Sequence, residues 1–592
     1  MRKILLVIHI FCVLGLYAQE NPQNIQYTRI YDFVDELANN KVIDINSHIK
    51  PYSRHLIAEK LLEAQTKDSL LNERQKKELT FFLNDYALEC DTVPTGYVKW
   101  TDGNKFTLSL FQPAFSYRQE NNNFKMRVVP YLGMDIYTNK KGSIIHRYYG
   151  AELSADIMQH VAVWGSFRDH SYNGNHLKSS YFPNRGQLRD GARLSKAGYL
   201  NTLPGCEYKE ADYGGDFSDV RGGISAYASW GSISLVKDNL EWGDNYHGSN
   251  VISGRAPSFP MISLKLTPCK WFQLDYIHGW LVSNQLDSTN YYVEEYNDGD
   301  EIMERRQYRP RNKFIAANMM TFKPIKGLSL SLGNSIIYAE NSVHAAFFIP
   351  IGYYKSIDHM QTKGLGTENQ NSQIFFNVSS RNLKHVHLYC SMYIDEFKRD
   401  RLKKNNPERN LFSYKVGTRI SDFPLNNLSL TAEFTRNNIM NYKHSIQALT
   451  FASNSYCLGS YMGDNSQELY LALQYKPIRG LDITLSYVNA VKFNDYKYLR
   501  KDVGNAIAQK PFNEKVWKND EISLDVLYEL FNNVYLRMNL AYNNARGYDR
   551  SAKKDAIVSE NCLTAQQFLD KFTPRFYQGE NFSAILGVNI GF

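Results

Sequence analysis

The feature that most constrains this chain is an alternation of apolar and polar residues that begins near Phe106 and runs to the last residue. Phe124, Met126, Val128, Pro130, Leu132, Met134 and Ile136 alternate with Lys125, Arg127, Tyr131, Gly133 and Asp135. Ile522, Leu524, Val526, Tyr528 and Leu530 alternate with Glu521, Ser523, Asp525 and Glu529. Val534, Leu536, Met538, Leu540 and Tyr542 do the same with Tyr535, Arg537, Asn539 and Ala541. A period of two marks β-strands with two unlike faces. A soluble sandwich alternates as well, so the pattern by itself leaves two classes open.

Three observations choose the membrane. Many runs last roughly 9–13 residues, and a tilted strand needs roughly 9–11 to cross a bilayer. Connections alternate in length. Tight turns such as Lys323-Pro324-Ile325-Lys326-Gly327, Lys476-Pro477-Ile478-Arg479-Gly480, Thr267-Pro268-Cys269-Lys270 and Pro424-Leu425-Asn426-Asn427 are separated by long polar stretches near 170–218, 284–311, 340–371, 493–518 and 544–579. Short turns at one end and long loops at the other are the layout of outer-membrane barrels. The final run, Phe582, Ala584, Leu586, Val588, Ile590 and Phe592, ends on an aromatic residue and resembles the strand signal read by the barrel assembly machinery during biogenesis. Roughly 18 to 20 candidate strands fit the stretch, and closure with both ends on one side requires an even number. The expected fold is an all-β transmembrane barrel of about 18 antiparallel strands over residues 96–592.

Mean hydropathy is −0.45, which excludes a polytopic helical membrane protein, since each helical span needs roughly 20 consecutive apolar residues. In a barrel, half of each strand faces a polar interior and the average falls accordingly. The excess of 42 Tyr and 32 Phe over 7 Trp predicts aromatic girdles at both bilayer surfaces.

Ahead of the barrel the period changes. Arg2 and Lys3 precede an apolar run from Ile4 to Leu16, and Ala18 stands before Gln19, so residues 1–18 read as a secretory signal peptide. Cys12 follows no convincing lipobox. Residues 19–95 read as a small periplasmic α-helical bundle. Ile30, Phe33, Val34 and Leu37 recur at helical spacing, and Ser53 is the expected N-cap of a helix carrying Ile57, Leu61 and Ala64. Asn72 with Gln75 forms an expected capping box before Leu79, Phe82, Leu83 and Tyr86. Three short amphipathic helices bury too little surface alone and must dock on something larger. Residues 90–100 read as the connection.

Charge and cysteines exclude other classes. Loss of Arg2 and Lys3 lowers the formal charge of +8 by two, too small a balance for a nucleic-acid partner. Cys90, Cys206, Cys269, Cys390, Cys457 and Cys562 lie about sixty or more residues apart, so no CxxC motif exists. Long-range disulfides and isolated thiols both remain open.

Two stretches carry a family resemblance. Tyr31-Asp32-Phe33-Val34-Asp35-Glu36-Leu37-Ala38, then Lys50-Pro51-Tyr52-Ser53-Arg54 and Ile57-Ala58, resembles the opening of the capsule assembly protein Wzi family. Asn239-Leu240-Glu241-Trp242-Gly243, continuing through Gly248 to Ser253-Gly254-Arg255-Ala256-Pro257-Ser258-Phe259-Pro260, resembles that family's W-G…S-x-x-A-P-x-F-P segment. The resemblance implies an outer-membrane barrel with a periplasmic helical bundle that helps attach capsular polysaccharide, without enzymatic activity. Asp244-Asn245 departs from the Pro-Gly pair that often follows the Trp-Gly. Gly, Ser and Ala at such positions are first of all backbone requirements, so the motif is expected to shape a loop or plug.

The chain shows no GxSxG, HExxH or P-loop, and no catalytic residue, cofactor or metal is assigned. His385 and His387 are expected on one strand face but have no third ligand. Asn297-Asp298-Gly299-Asp300-Glu301 lacks calcium-loop spacing and reads as a solvated turn. Trp242, Tyr246, His247 and Arg255 supply glycan-binding chemistry within one segment, aromatic faces plus hydrogen-bonding groups, or else they shape that loop. Inward Arg127, Asp135, Glu433, Asp525 and Arg537 predict a polar lumen whose charges pair with each other.

The expected protein is therefore a monomer in the outer membrane of a Gram-negative-type bacterium, in contact with outer-membrane lipid. Its expected partner is capsular or other surface polysaccharide. A porin-like channel for sugars or other small solutes is the alternative, and an outer-membrane lipid or glycan hydrolase the third reading, because Ser and His partners need not be adjacent in sequence.

Overall fold

The computed structural model describes residues 21–591, apart from 93–96, 100–104, 110–113, 175–208, 212–213, 284, 299–300, 366–369, 455, 495, 497–505, 551–563 and 574. Residues 1–18, expected to be a signal peptide, together with Cys206, Cys562, Gly299-Asp300, Phe592 and most of the 170–218 stretch, lie outside the described residues, and Cys12 with them.

Eighteen antiparallel strands close into one barrel. They are β1 (Phe124–Asn139), β2 (Gly142–Ile157), β3 (Val161–Asn173), β4 (Gly214–Ala228), β5 (Gly231–Asp238), β6 (Phe259–Cys269), β7 (Phe272–Leu281), β8 (Lys313–Ile325) and β9 (Leu328–Tyr338). They continue as β10 (Gln370–Ser380), β11 (Val386–Glu396), β12 (Leu411–Ser421), β13 (Leu428–Asn437), β14 (Ser466–Tyr475), β15 (Leu481–Phe493), β16 (Lys515–Phe531), β17 (Val534–Gly547) and β18 (Gly579–Ile590). Each pairs with its chain neighbour, and β18 closes on β1 from Ser583↔Asn139 to Ile590↔Leu132. The first half of that β1 edge is taken by Ala114–Arg118, itself paired to Lys105–Ser109 and that to Tyr97–Lys99. Part of the expected connection is thus strand.

The two faces explain the alternation. Along β13, Ser429, Thr431, Glu433, Thr435 and Asn437 are buried inward while Leu430 is 46% exposed outward. Along β18, Asn581, Ser583 and Asn589 are buried while Phe582, Leu586 and Val588 are exposed. Outward aromatics gather beside the short turns, among them Trp271, Phe322, Phe423, Tyr475 and Phe531. Gly327 and Gly480 close two of those turns at φ +80° and +84°, a conformation side chains resist. Among the described residues no helix is long and apolar enough to cross a membrane. A barrel crosses with strands.

Three helices, α1 (Thr28–Asn39), α2 (Arg54–Gln65) and α3 (Glu73–Asp85), sit against the short-turn end. The Ser53 side chain accepts from Leu56 N, and Asn72 and Gln75 form the reciprocal capping box. Ile30, Phe33, Val34 and Leu37 pack with Ile57, Leu61, Leu79 and Phe82 in one apolar cluster that also includes Tyr535 of β17. The helices therefore complete their core on the barrel. Two more helices, α4 (Tyr354–Leu365) and α5 (Ala565–Phe572), lie in long loops at the other end. The 284–311 stretch, expected as loop, is a two-stranded ribbon, Leu286–Asp298 paired with Glu301–Pro310. Cys90, Cys269 and Cys390 are free thiols.

Candidate functional site

Inward polar residues of an open pore would be wetted; here most are buried, because the chain fills its own lumen. Residues 239–258 leave β5, fold inside the barrel and return at β6. Glu241–Trp242 pairs with Ile49–Lys50 on one side and with Ile252–Ser253 on the other. This small sheet ties the lumenal segment to the helical cap, and Lys50 Nζ adds an ion pair to Glu241 at 2.9 Å. The sharp path needs glycine. At Gly254, with φ +67°, a Cβ would meet Ile25 at 2.8 Å and the Leu240 carbonyl at 3.0 Å.

The segment is fastened to the wall by buried polar contacts. Asn250 Nδ2 donates to Ser413 Oγ at 3.0 Å, its Oδ1 accepts from Ser391 Oγ, and its carbonyl accepts from Tyr442 OH at 2.6 Å. Glu433 accepts from the Tyr246 amide, from Tyr389 OH and from Lys415 Nζ. Trp242 is 1% exposed and shares an apolar cluster with Val251, Ile252 and Phe375. Tyr246 bonds His387 Nδ1 through its hydroxyl at 2.9 Å, and the Arg419 guanidinium lies 4.5 Å from its ring centre. His247 stacks on Tyr470 with centroids 4.1 Å apart, and its Nε2 lies 3.6 Å from Glu468. Arg255 donates to the His247 carbonyl and covers the Tyr461 ring at 4.6 Å. All four sequence-singled residues thus contact the wall or the neighbouring 438–465 loop.

The helical cap is held by charge. α1 is buried on both faces, and its polar face meets wall cations. Asp32 pairs with Arg419 and Lys476, Asp35 with Arg381, and Glu36 with Lys476 as well as Arg74 of α3. Arg29 is ringed by Glu78, Asp482 and Glu529. Burial alone would raise the Glu36 carboxyl, but Arg74 and Lys476 outweigh it and bring it down to about 2.

Several expected pairings differ. Arg127 pairs with Asp85 of α3, Asp135 with His146, Glu433 with Lys415, and Asp525 bonds Asn539. Arg537 lines a cavity of about 450 Å³ between α1, Tyr246 and the wall. Arg127 thus finds the cap and Glu433 a neighbouring wall residue, while Arg537 has Asp135 and Asp525 as its charged neighbours, as expected. His385 sits in the turn before β11 at φ +71° and bonds Asn40, so it does not share a strand face with His387. A second cavity, about 810 Å³, lies between α2 and the inward faces of β4 to β8.

One arrangement invites a catalytic reading: Ser379 Oγ lies 2.8 Å from His387 Nε2, with Asp244 nearby. Asp244 Oδ1, however, is 3.8 Å from that same Nε2. A nucleophile relay needs the carboxylate on the opposite ring nitrogen. That nitrogen faces Tyr246 and Arg381 instead. The sequence marked Asp244 only as a departure from the family pattern and gave no weight to His48, Asn250 or Arg381. The contacts that join them to other parts of the fold span well over a hundred residues, and no local pattern carries such contacts.

The comparisons accord with this architecture. Wzi of Escherichia coli, an outer-membrane protein involved in group 1 capsule assembly and a carbohydrate-binding β-barrel, aligns with TM-score 0.50 and 12% identity over 98% of this chain and 99% of that one. Acinetobacter baumannii OccAB4 aligns with TM-score 0.41 and 7% identity over 79% of this chain and 97% of its own. Pseudomonas aeruginosa OccK8 (OprE) gives 0.39 and 10%, over 79% and 97%. No curated protein sequence matches significantly. The family model for the capsule assembly protein Wzi matches residues 226–557, which takes in the lumenal segment and most of the barrel. The chain belongs to the capsule assembly protein Wzi family.

Proposed function

We propose that this outer-membrane barrel binds capsular polysaccharide and holds it at the cell surface, without catalysing a reaction. The observation that carries the reading is the filled lumen: helices at one end, residues 239–258 within, and long loops folded over the other end. Such a barrel offers surfaces rather than a path. Family membership supplies the polymer. In this reading residues 1–18 are a cleaved leader, 19–95 form a periplasmic cap and 96–592 the barrel, which acts as a monomer surrounded by outer-membrane lipid after insertion by the assembly machinery. Trp242, Tyr246, His247 and Arg255 hold the plug in place, and sugar is met on the long-loop side. Capsule staining and cell-free polysaccharide in a deletion strain test the proposal; unchanged surface retention overturns it.

A further inference from the structure

Asp156 is a buried carboxylate without a charged partner, and it lies where the chain enters the fold. The Asn21 carbonyl accepts from Arg54 N at 2.8 Å, and Gln23 N donates to the Tyr52 carbonyl at 2.8 Å. Residues 21–23 are thereby fixed alongside the start of α2, and Asn21 is 4% exposed. Its Nδ2 donates to Asp156 Oδ1 at 3.2 Å, while its own Oδ1 is buried and meets no donor. Asp156 faces inward near the short-turn end of β2 and is 9% exposed. A buried carboxylate is ordinarily neutralised by a cation or held by several donors. The charged neighbours of Asp156 are Glu89, Lys125 and Arg54. Both cations are committed elsewhere. Arg54 pairs with Glu89, and Lys125, although it stands directly across from Asp156 on β1, turns its ammonium to Asp91 and the Leu88 carbonyl. Among the described residues Asp156 forms no ion pair, and Asn21 Nδ2 is its one side-chain donor.

We propose that Asp156 and Asn21 form a binding site for a primary ammonium, the α-amine that removal of the leader creates on Gln19. Hydrolysis of the Ala18–Gln19 bond consumes one water and leaves a carboxylate on the leader and an ammonium on the chain. Gln19 precedes Asn21 by two residues, a reach of at most about 7 Å. A primary ammonium carries three donors. One meets the Asp156 carboxylate and a second the orphaned Asn21 Oδ1. The uncleaved precursor has a neutral peptide N–H at that place and leaves Asp156 unpaired. Loss of the leader therefore completes the docking of the helical cap onto β2. The inference rests on the leader assigned above and adds to it what the new terminus does.

The test uses the processed protein purified from outer membranes in detergent, with 2-pyridinecarboxaldehyde, which modifies α-amines, as the probe. Amino-terminal sequencing should find Gln19 first, with a free amine. Mass spectrometry should show modification at least tenfold slower in the folded wild type than in folded Asp156→Asn. In urea the two rates should be equal. Asn21→Ala, which removes the second acceptor and keeps Asp156, should speed modification about threefold and serves if Asp156→Asn fails to insert. A general loosening by Asp156→Asn is separated by a cycle. Wild-type chain modified in urea and refolded should release the helical cap at lower urea than unmodified chain, whereas the same modification of Asp156→Asn should change nothing. Equal shifts in both backgrounds overturn the pair, as does rapid modification of the folded wild type. A terminus closed as pyroglutamate, which carries no ammonium, overturns it too. A chain that begins elsewhere removes the leader boundary and the pair together, while one that begins at Gln19 and reacts freely removes the pair alone.

Discussion

The Asp244 carboxylate lies 2.6 Å from the His48 imidazole and 3.8 Å from that of His387. One side chain of the lumenal segment thereby meets both the helical cap and wall strand β11, with all three residues under 5% exposed. A Pro-Gly pair at 244–245 would carry no such group, so the departure from the family pattern is here a fastening.

Replacing Asp244 with Ala should therefore loosen the plug. The two imidazoles lose a charged partner in a buried setting, a cost of about 2–3 kcal/mol. Trypsin should then cleave after Arg255, which the folded lumen protects. Equal protection in wild type and variant would refute the fastening role.

Arg381 gathers three groups of the cap, donating to Asn39 Oδ1 at 2.8 Å, Ser47 Oγ at 2.8 Å and Asp35 Oδ1 at 3.0 Å. Arg381→Ala leaves Asp35 buried and unpaired, which costs about 3–5 kcal/mol. Urea-induced release of the cap should shift to lower concentration. Adding Asp35→Ala should recover part of the loss, and strict additivity of the two changes would show that the pair is not coupled.

Acid should release the cap through Glu36. Its carboxyl is held at about 2 in the docked state against an ordinary 4.5, so its contribution is complete above pH 4.5. It fades as pH falls toward 2, worth about 3 kcal/mol in all by the usual conversion of pKa difference to free energy. Cap release followed by limited proteolysis from pH 6 to pH 2 reads this directly. Glu36→Gln should flatten the profile, and an unchanged profile would remove Glu36 as its source.

The intact protein should show no steady open state in planar bilayers. A variant lacking residues 21–92 and with 243–251 shortened to a Gly-Ser linker should conduct ions, since both obstructions are then gone. A stable channel in the intact protein would favour the porin-like alternative.

Particular elements show where sequence reading reaches its limit. Ser53 and the Asn72–Gln75 box were legible because capping is completed within three residues. The ribbon at 286–310 was not, because both its faces are exposed and mixed, so no contrast of period two arises. Trp242 was legible as a motif residue, yet the apolar cluster it is buried in draws on Phe375, far along the chain.

The sequence by itself determined the barrel strands, their even number, the capped helices and the apolar outer face, since each is set by neighbours a few residues apart or by the bilayer. Only the tertiary structure decided that α1 turns its acids onto Arg381, Arg419 and Lys476, and that 239–258 fills the lumen. A polar residue facing water and one facing a distant opposite charge look alike along the chain. Closing the barrel is what brings the charge to meet it.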